Sequence, residues 1–196
     1  MRRLGAAFAV LLAACSSNPP APDWQLNAKA ASERAIEAYL TGNARVDAAE
    51  QARARAEVAR TGRADLLARV ELAHCAAQVA SLVFEPCSAF EPLRADATDA
   101  ERAYADRLAG RLAAPEPALQ GVADPLARLV AAGVLFQTNR ADPQVIQTAI
   151  DTASAQGWRR PLLAWLNVQL RRAEAASATD EAAQLRRRIA LVERPN

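Results

Sequence analysis

Residues 124–157 read DPLARLVAAGVLFQTNRADPQVIQTAIDTASAQG, and this stretch decides the fold. Asp124 and Asp142 each stand directly before a proline. An aspartate accepts from the free amides of a helix's first turn, and proline, with no amide hydrogen and a fixed φ, suits the first helical position. Behind Pro125, the residues Leu126, Leu129, Val130, Gly133 and Val134 recur at three- and four-residue spacing. Behind Pro143, Ile146, Ala149, Ile150 and Ala153 do the same. That period is helical, so the stretch is two amphipathic helices joined by a short turn.

The pattern extends in both directions. Pro161 opens a seventh helix with Leu162, Trp165, Leu166 and Leu170 on one side. An eighth, from about Asp180, aligns Ala182, Leu185, Ile189 and Val192. Towards the N-terminus, a helix over 27–40 stops at Gly42-Asn43, and one over 44–60 stops at Thr61-Gly62. A third, over 64–82, carries Leu72, Cys75, Ala76, Val79 and Val83 along one face before Pro86 and Pro92 break the pattern. Thr98 with Glu101 forms a capping box that opens a fourth over 99–112, and Pro115 and Pro117 mark the next loop.

Composition points the same way. Of 196 residues, 50 are alanine and only 5% are aromatic, so a hydrophobic content of 52% coexists with a mean hydropathy of −0.09. Alanine is the best helix former, and the short Val/Ile runs exclude a β-sandwich or a doubly wound sheet. The expected fold is all-α: about eight helices in antiparallel hairpins, forming either a tetratricopeptide-like solenoid or an irregular bundle over a single domain, 27–196. Starts near 27 and 64, and near 125 and 161, recur at intervals close to that repeat's period. Tyr39, Gly42 and Ala48 resemble fragments of the tetratricopeptide signature, whose other positions do not match. The resemblance implies stacked hairpins that offer a groove to peptides or protein partners.

The N-terminus concerns location. Arg2 and Arg3 precede an apolar run from Leu4 to Ala14, too short to span a membrane and laid out as a secretory signal. The run ends Leu12-Ala13-Ala14-Cys15, then Ser16-Ser17-Asn18-Pro19-Pro20. This resembles the lipobox of bacterial lipoproteins, which implies cleavage of residues 1–14 and lipidation of Cys15. Two or more acyl chains anchor a protein stably. Ser16 resembles the residue that follows the cysteine in lipoproteins sorted to the outer membrane, which implies a lipid-anchored protein on its periplasmic face. Residues 15–26 are then the lipidated cysteine and a flexible tether. Extended residues 16–22 reach roughly 20 Å.

Cys75 and Cys87 remain as an even pair, which suits an oxidising compartment. In one straight helix they would stand about 18 Å apart, far beyond bridging range. Pro86 forbids that helix, and a stop near Ser81 brings the two within reach, so a structural disulfide is expected. His74 beside Cys75 suggests a metal site or a thiol–imidazole pair. Neighbouring helical positions diverge by about 100°, however, so a packing or surface histidine is expected, with no metal and no cofactor.

The acids Glu85, Glu91 and Glu116 fall in the proline-broken segments and read as solvated loop residues, against the alternative of a glycan-cleaving pair. No phosphate loop, nucleophile elbow or dinucleotide fingerprint occurs, and an enzyme is not expected. Cleavage would remove Arg2 and Arg3, leaving 22 basic residues against 22 acidic ones, so nucleic acid is not an expected partner. Arginine outnumbers lysine 23 to 1, and residues 158–196 hold eight arginines against four acids. Arg171, Arg172, Arg186, Arg187 and Arg188 are therefore candidate contacts for an envelope protein partner, weighed against an ordinary solvated face. Trp158 and Trp165 read as core packing, with a ligand groove as the alternative. The expected function is a non-catalytic, membrane-anchored scaffold or adaptor. The alternatives are a lipoprotein holding a small lipid or glycan between its helices and, behind that, a cell-wall enzyme.

Overall fold

The computed structural model describes residues 20–112 and 119–194. Eight α-helices follow one another: α1 (Asp23–Thr41), α2 (Ala44–Ala59), α3 (Ala64–Ala80), α4 (Asp99–Leu108), α5 (Pro125–Gln137), α6 (Pro143–Gln156), α7 (Arg159–Ala175) and α8 (Thr179–Glu193). Single 3-10 turns lie at Glu91–Leu93 and Leu119–Gly121. No strand occurs among the described residues. The all-α expectation holds.

Local chemistry sets the helix ends. Asp124 and Asp142 accept from the amides of Ala127 and Val145, at 2.6 and 2.8 Å. Thr98 and Glu101 exchange both bonds of the capping box. Six helices stop alike: the chain turns to positive φ, the amide of that residue returns to the carbonyl three residues back, and the next amide returns to the carbonyl five residues back. Gly42, Gly110 and Gly157 make that turn after α1, α4 and α6 without steric cost. Leu82, Asn139 and Ser177 make it after α3, α5 and α7 with side chains in place.

Several boundaries move from the sequence reading. α1 begins at Asp23, so its first turn takes up residues 23–26, which were expected to belong to the tether. Gly110 ends α4 at Leu108, short of 112. α7 begins at Arg159, two residues before Pro161, which sits within the first turn where no amide donor is needed.

α5, α6, α7 and α8 pack in succession as antiparallel hairpins. The N-terminal half is different. α3 lies at the centre, packed against α1, α2, α4 and α5, while α1 also meets α7 and closes the array on itself. The result is a closed helical bundle in which sequence neighbours are only part of each helix's contacts. Trp165, Phe90, Leu40, Leu129, Ile146 and Ile150 are the largest side chains fully enclosed in the main core. A smaller cluster of Ala28, Ala31, Ala54, Val58 and Val70 lets α1 and α2 approach closely beside α3. No helix among the described residues is long and apolar enough to cross a membrane.

Close approach is sharpest at Gly133. A Cβ built there would run into the carbonyl oxygen of Val79, with the carbonyl carbon and Cγ1 of Val79 only 3.0 Å away. Glycine at this point of α5 therefore fixes how near it lies to the last turn of α3.

Candidate functional site

α3 stops at Ala80, and the chain turns back through Leu82. Cys87 thereby reaches Cys75: their sulfurs lie at bonding distance, with Cα atoms 5.9 Å apart. The loop so fastened buries Phe90 completely, and Phe84 stacks on Phe136 with ring centroids 6.3 Å apart. Arg94 lies over the Phe90 ring at 5.1 Å and pairs with Glu91 and Asp106. The Arg94 guanidinium holds the Glu91 carboxyl below its ordinary pKa, against a smaller opposing effect of burial. Glu91 is thus a structural loop acid. Glu85 is exposed on the same loop, and Glu116 lies outside the described residues.

Beside the disulfide, the spacing of Glu71, His74, Cys75 and Gln78 places them along one side of α3, facing a cleft whose opposite wall is Gln51 and Arg55 of α2. Glu71 is 4% exposed, and both its oxygens accept from Arg55 in a fork. Gln51 Nε2 also donates to Glu71 Oε2, at 3.3 Å. A buried carboxylate needs such a set of partners, because an unmatched charge in an interior is very costly. The hydrogen bond to Glu71 raises the Arg55 pKa further, outweighing the opposing effect of burial.

His74 is a packing histidine, as expected. Its Nε2 donates to Asp47 Oδ1 at 2.9 Å, and its ring meets the edge of Tyr39 with centroids 5.3 Å apart. Arg160 of α7 covers the Tyr39 ring at 4.3 Å, and its Nε donates to the Tyr39 carbonyl at 2.7 Å. Burial pushes the Tyr39 hydroxyl pKa up; Arg160 opposes this, while Asp47 and Glu85 add to it. Two residues earlier on each side, Trp158 Nε1 donates to Glu37 at 2.9 Å. Trp158 and Trp165 are both buried, which agrees with their reading as packing residues. Among the described residues, no group of three or more His, Cys, Asp or Glu side chains could hold a metal ion.

The arginines of the terminal hairpin divide. Arg171, Arg172, Arg186 and Arg187 are exposed on α7 and α8, whereas Arg188 is half-buried and donates to Ser154 of α6 at 3.3 Å. Arg186 pairs with Glu174 at 2.5 Å. Arg171, Arg172 and Arg187 pair with no acid among the described residues. Arg186 and Arg188 are thus engaged within the fold, whereas the other three are not.

Gln51, Glu71 and Asp47 went unremarked in the sequence reading. For Glu71 the available signal was its spacing with His74, Cys75 and Gln78 at i, i+3, i+4 and i+7 on α3; Asp47 and Gln51 on α2 carry none. Leu12 to Cys15, which carry the lipoprotein resemblance, lie outside the described residues. No protein-family model matches the sequence, and no curated protein or solved structure matches it either.

Proposed function

We propose that the chain is a bacterial lipoprotein, held at the periplasmic face of the outer membrane through Cys15, whose non-catalytic helical body presents the α7–α8 hairpin to a protein partner. The Leu12–Cys15 lipobox and Ser16 supply the anchor and its address. The bonded pair Cys75–Cys87 suits an oxidising compartment.

The observation that carries the adaptor role is the charge state of the hairpin. Arg34, Arg55, Arg63, Arg69, Arg94 and Arg111 all pair with carboxylates. Arg171, Arg172 and Arg187 stand exposed without one. Unmatched guanidinium groups on neighbouring helices favour an acidic partner and speed its approach.

The test is a crosslinking pull-down from membranes, comparing the native chain with an Arg171→Glu, Arg172→Glu, Arg187→Glu variant. An envelope protein captured by the native chain and lost from the variant is the expected result. Identical capture by both sinks the adaptor role. Cys15→Ser should release the protein from the membrane fraction; retention there would overturn the anchor.

A further inference from the structure

We propose that the outward side of α8 receives an acidic segment of a protein partner, whose apolar side chain seats on Leu191 while its carboxylates meet Arg187 and Arg194. This gives the adaptor's partner a chemistry and a contact point, and it rests on the adaptor reading.

α8 is the last helix of the array and packs chiefly on α7. Ala182, Leu185 and Ile189 turn inward. Residues 184, 187, 191 and 194 follow one another at intervals of three, four and three, so they share the opposite side. Gln184, Arg187 and Arg194 are polar and exposed, as the outer face of a terminal helix should be. Leu191 breaks that pattern. It is 78% exposed, more than any other large apolar side chain among the described residues.

A lone exposed leucine is ordinary on a protein surface. The neighbours of Leu191 set it apart. Arg187 stands one turn before it and Arg194 one turn after, and neither pairs with an acid among the described residues. Arg186 and Arg188, on the flanks of the same helix, are held by Glu174 and Ser154. The acids of α8 stand elsewhere: Asp180 and Glu181 lie in its first turn, and Glu193 is about 200° round the helix from Leu191. An apolar contact between two unmatched guanidinium groups suits a segment with an apolar residue between carboxylates.

A bilayer is the wrong occupant for a chain anchored at Cys15. Arg159 donates to the Glu193 carbonyl at 3.4 Å, and its neighbours Trp158 and Arg160 hold Glu37 and Tyr39 of α1. This end of α8 thus adjoins the second half of α1. Glu37 lies about 21 Å along that helix from Asp23, where the segment from Cys15 enters.

Leu191→p-benzoylphenylalanine in the full chain, made in its own host and irradiated, should link to one other envelope protein through a segment with an apolar residue between acids. Ala48→p-benzoylphenylalanine, exposed on α2, should not give that adduct. A synthetic peptide of the linked segment should bind the purified full chain. Leu191→Ser should weaken that binding about tenfold or more without altering the melting temperature. Arg187→Gln combined with Arg194→Gln should weaken it as much. No adduct particular to position 191, an adduct with phospholipid or with a second copy, or a linked segment without acids would overturn the proposal. So would a peptide indifferent to either change. Capture in the pull-down that depends on Arg171 and Arg172, with position 191 unlinked, would remove this contact and leave the adaptor role standing. Failure of the capture itself removes both.

Discussion

The indole Nε1 of Trp165 donates to the carbonyl oxygen of Ala80 at 3.1 Å, joining the middle of α7 to the last turn of α3. The last carbonyls of any helix lack an intrahelical donor, and this one is buried. Trp165 is fully enclosed and also meets Phe136 edge-on, so one side chain both fills the core and satisfies its backbone. Trp165→Phe keeps an aromatic ring but removes the donor. It should cost about 1–3 kcal/mol, read as a lowered urea midpoint with the slope unchanged.

Gly133→Ala tests the contact of α5 with α3. The added methyl meets a backbone carbonyl, which cannot swing aside as the tip of a flexible side chain could. Alanine's better helix propensity would favour the variant by about 1 kcal/mol, so a net loss of stability isolates the clash. A variant as stable as the native chain in urea would disprove the tight approach.

Ser177 turns to positive φ at the end of α7, is exposed, and carries a Cβ that disfavours that conformation. Ser177→Gly should therefore stabilise the protein by about 1 kcal/mol, raising its melting temperature. This is a gain from removing a side chain, opposite in sign to the usual effect of glycine.

Cys75 and Cys87 are separated by 12 residues. Closing a loop of that size stabilises by about 3 kcal/mol in the chain-entropy model. Cys87→Ser should lower the denaturation midpoint accordingly, and a thiol reductant should lower that of the native chain but not that of the variant.

Glu101 sets an acid limit. Burial pulls its carboxyl pKa upward, but Arg69 and the Thr98 backbone and hydroxyl outweigh this, so its pKa falls below the ordinary 4.5. A group depressed on folding contributes stability that is complete above its unfolded value and is lost as the pH falls through its folded value. Glu50, Asp65, Glu91 and Asp106 are lowered as well and act in the same direction. Urea midpoints should hold steady from neutrality to about pH 5 and decline below about pH 4.5. Glu101→Gln should make that decline shallower.

Features whose cause lies within a few residues were legible in the sequence. The Asp-Pro starts of α5 and α6, the Thr98–Glu101 box and the stop at Gly42 are local chemistry, and each stands where the sequence places it. The Cys75–Cys87 pairing followed from an even pair of cysteines behind a stretch laid out as a secretory signal, and a helix stop ahead of Pro86 made it sterically feasible. What escaped was tertiary. The Arg55–Glu71 fork joins residues 16 apart, and the Trp158–Glu37 bond joins residues 121 apart, so no periodicity announces either one. The start of α1 was missed for the opposite reason: proline-rich residues before Asp23 resemble a tether, although Pro22 itself stands at the helix N-cap. At the cleft, His74, Cys75 and Glu85 each stand out singly in the sequence, but Gln51 and Arg55, which face them from α2, carry no local signal.

The clasp between α1 and α7 bears on the order in which the chain becomes structured. The Glu37 carboxylate meets Trp158 and the Tyr39 carbonyl gains Arg160 only when α7 arrives, and the Ala80 carbonyl waits for Trp165. The chain is made from its N-terminus, so its first three helices are available before the segment that completes them. A fragment ending before α7 would expose the flank of α1 and leave the end of α3 unsealed. The native state is thus acquired late, when nearly the whole chain is available.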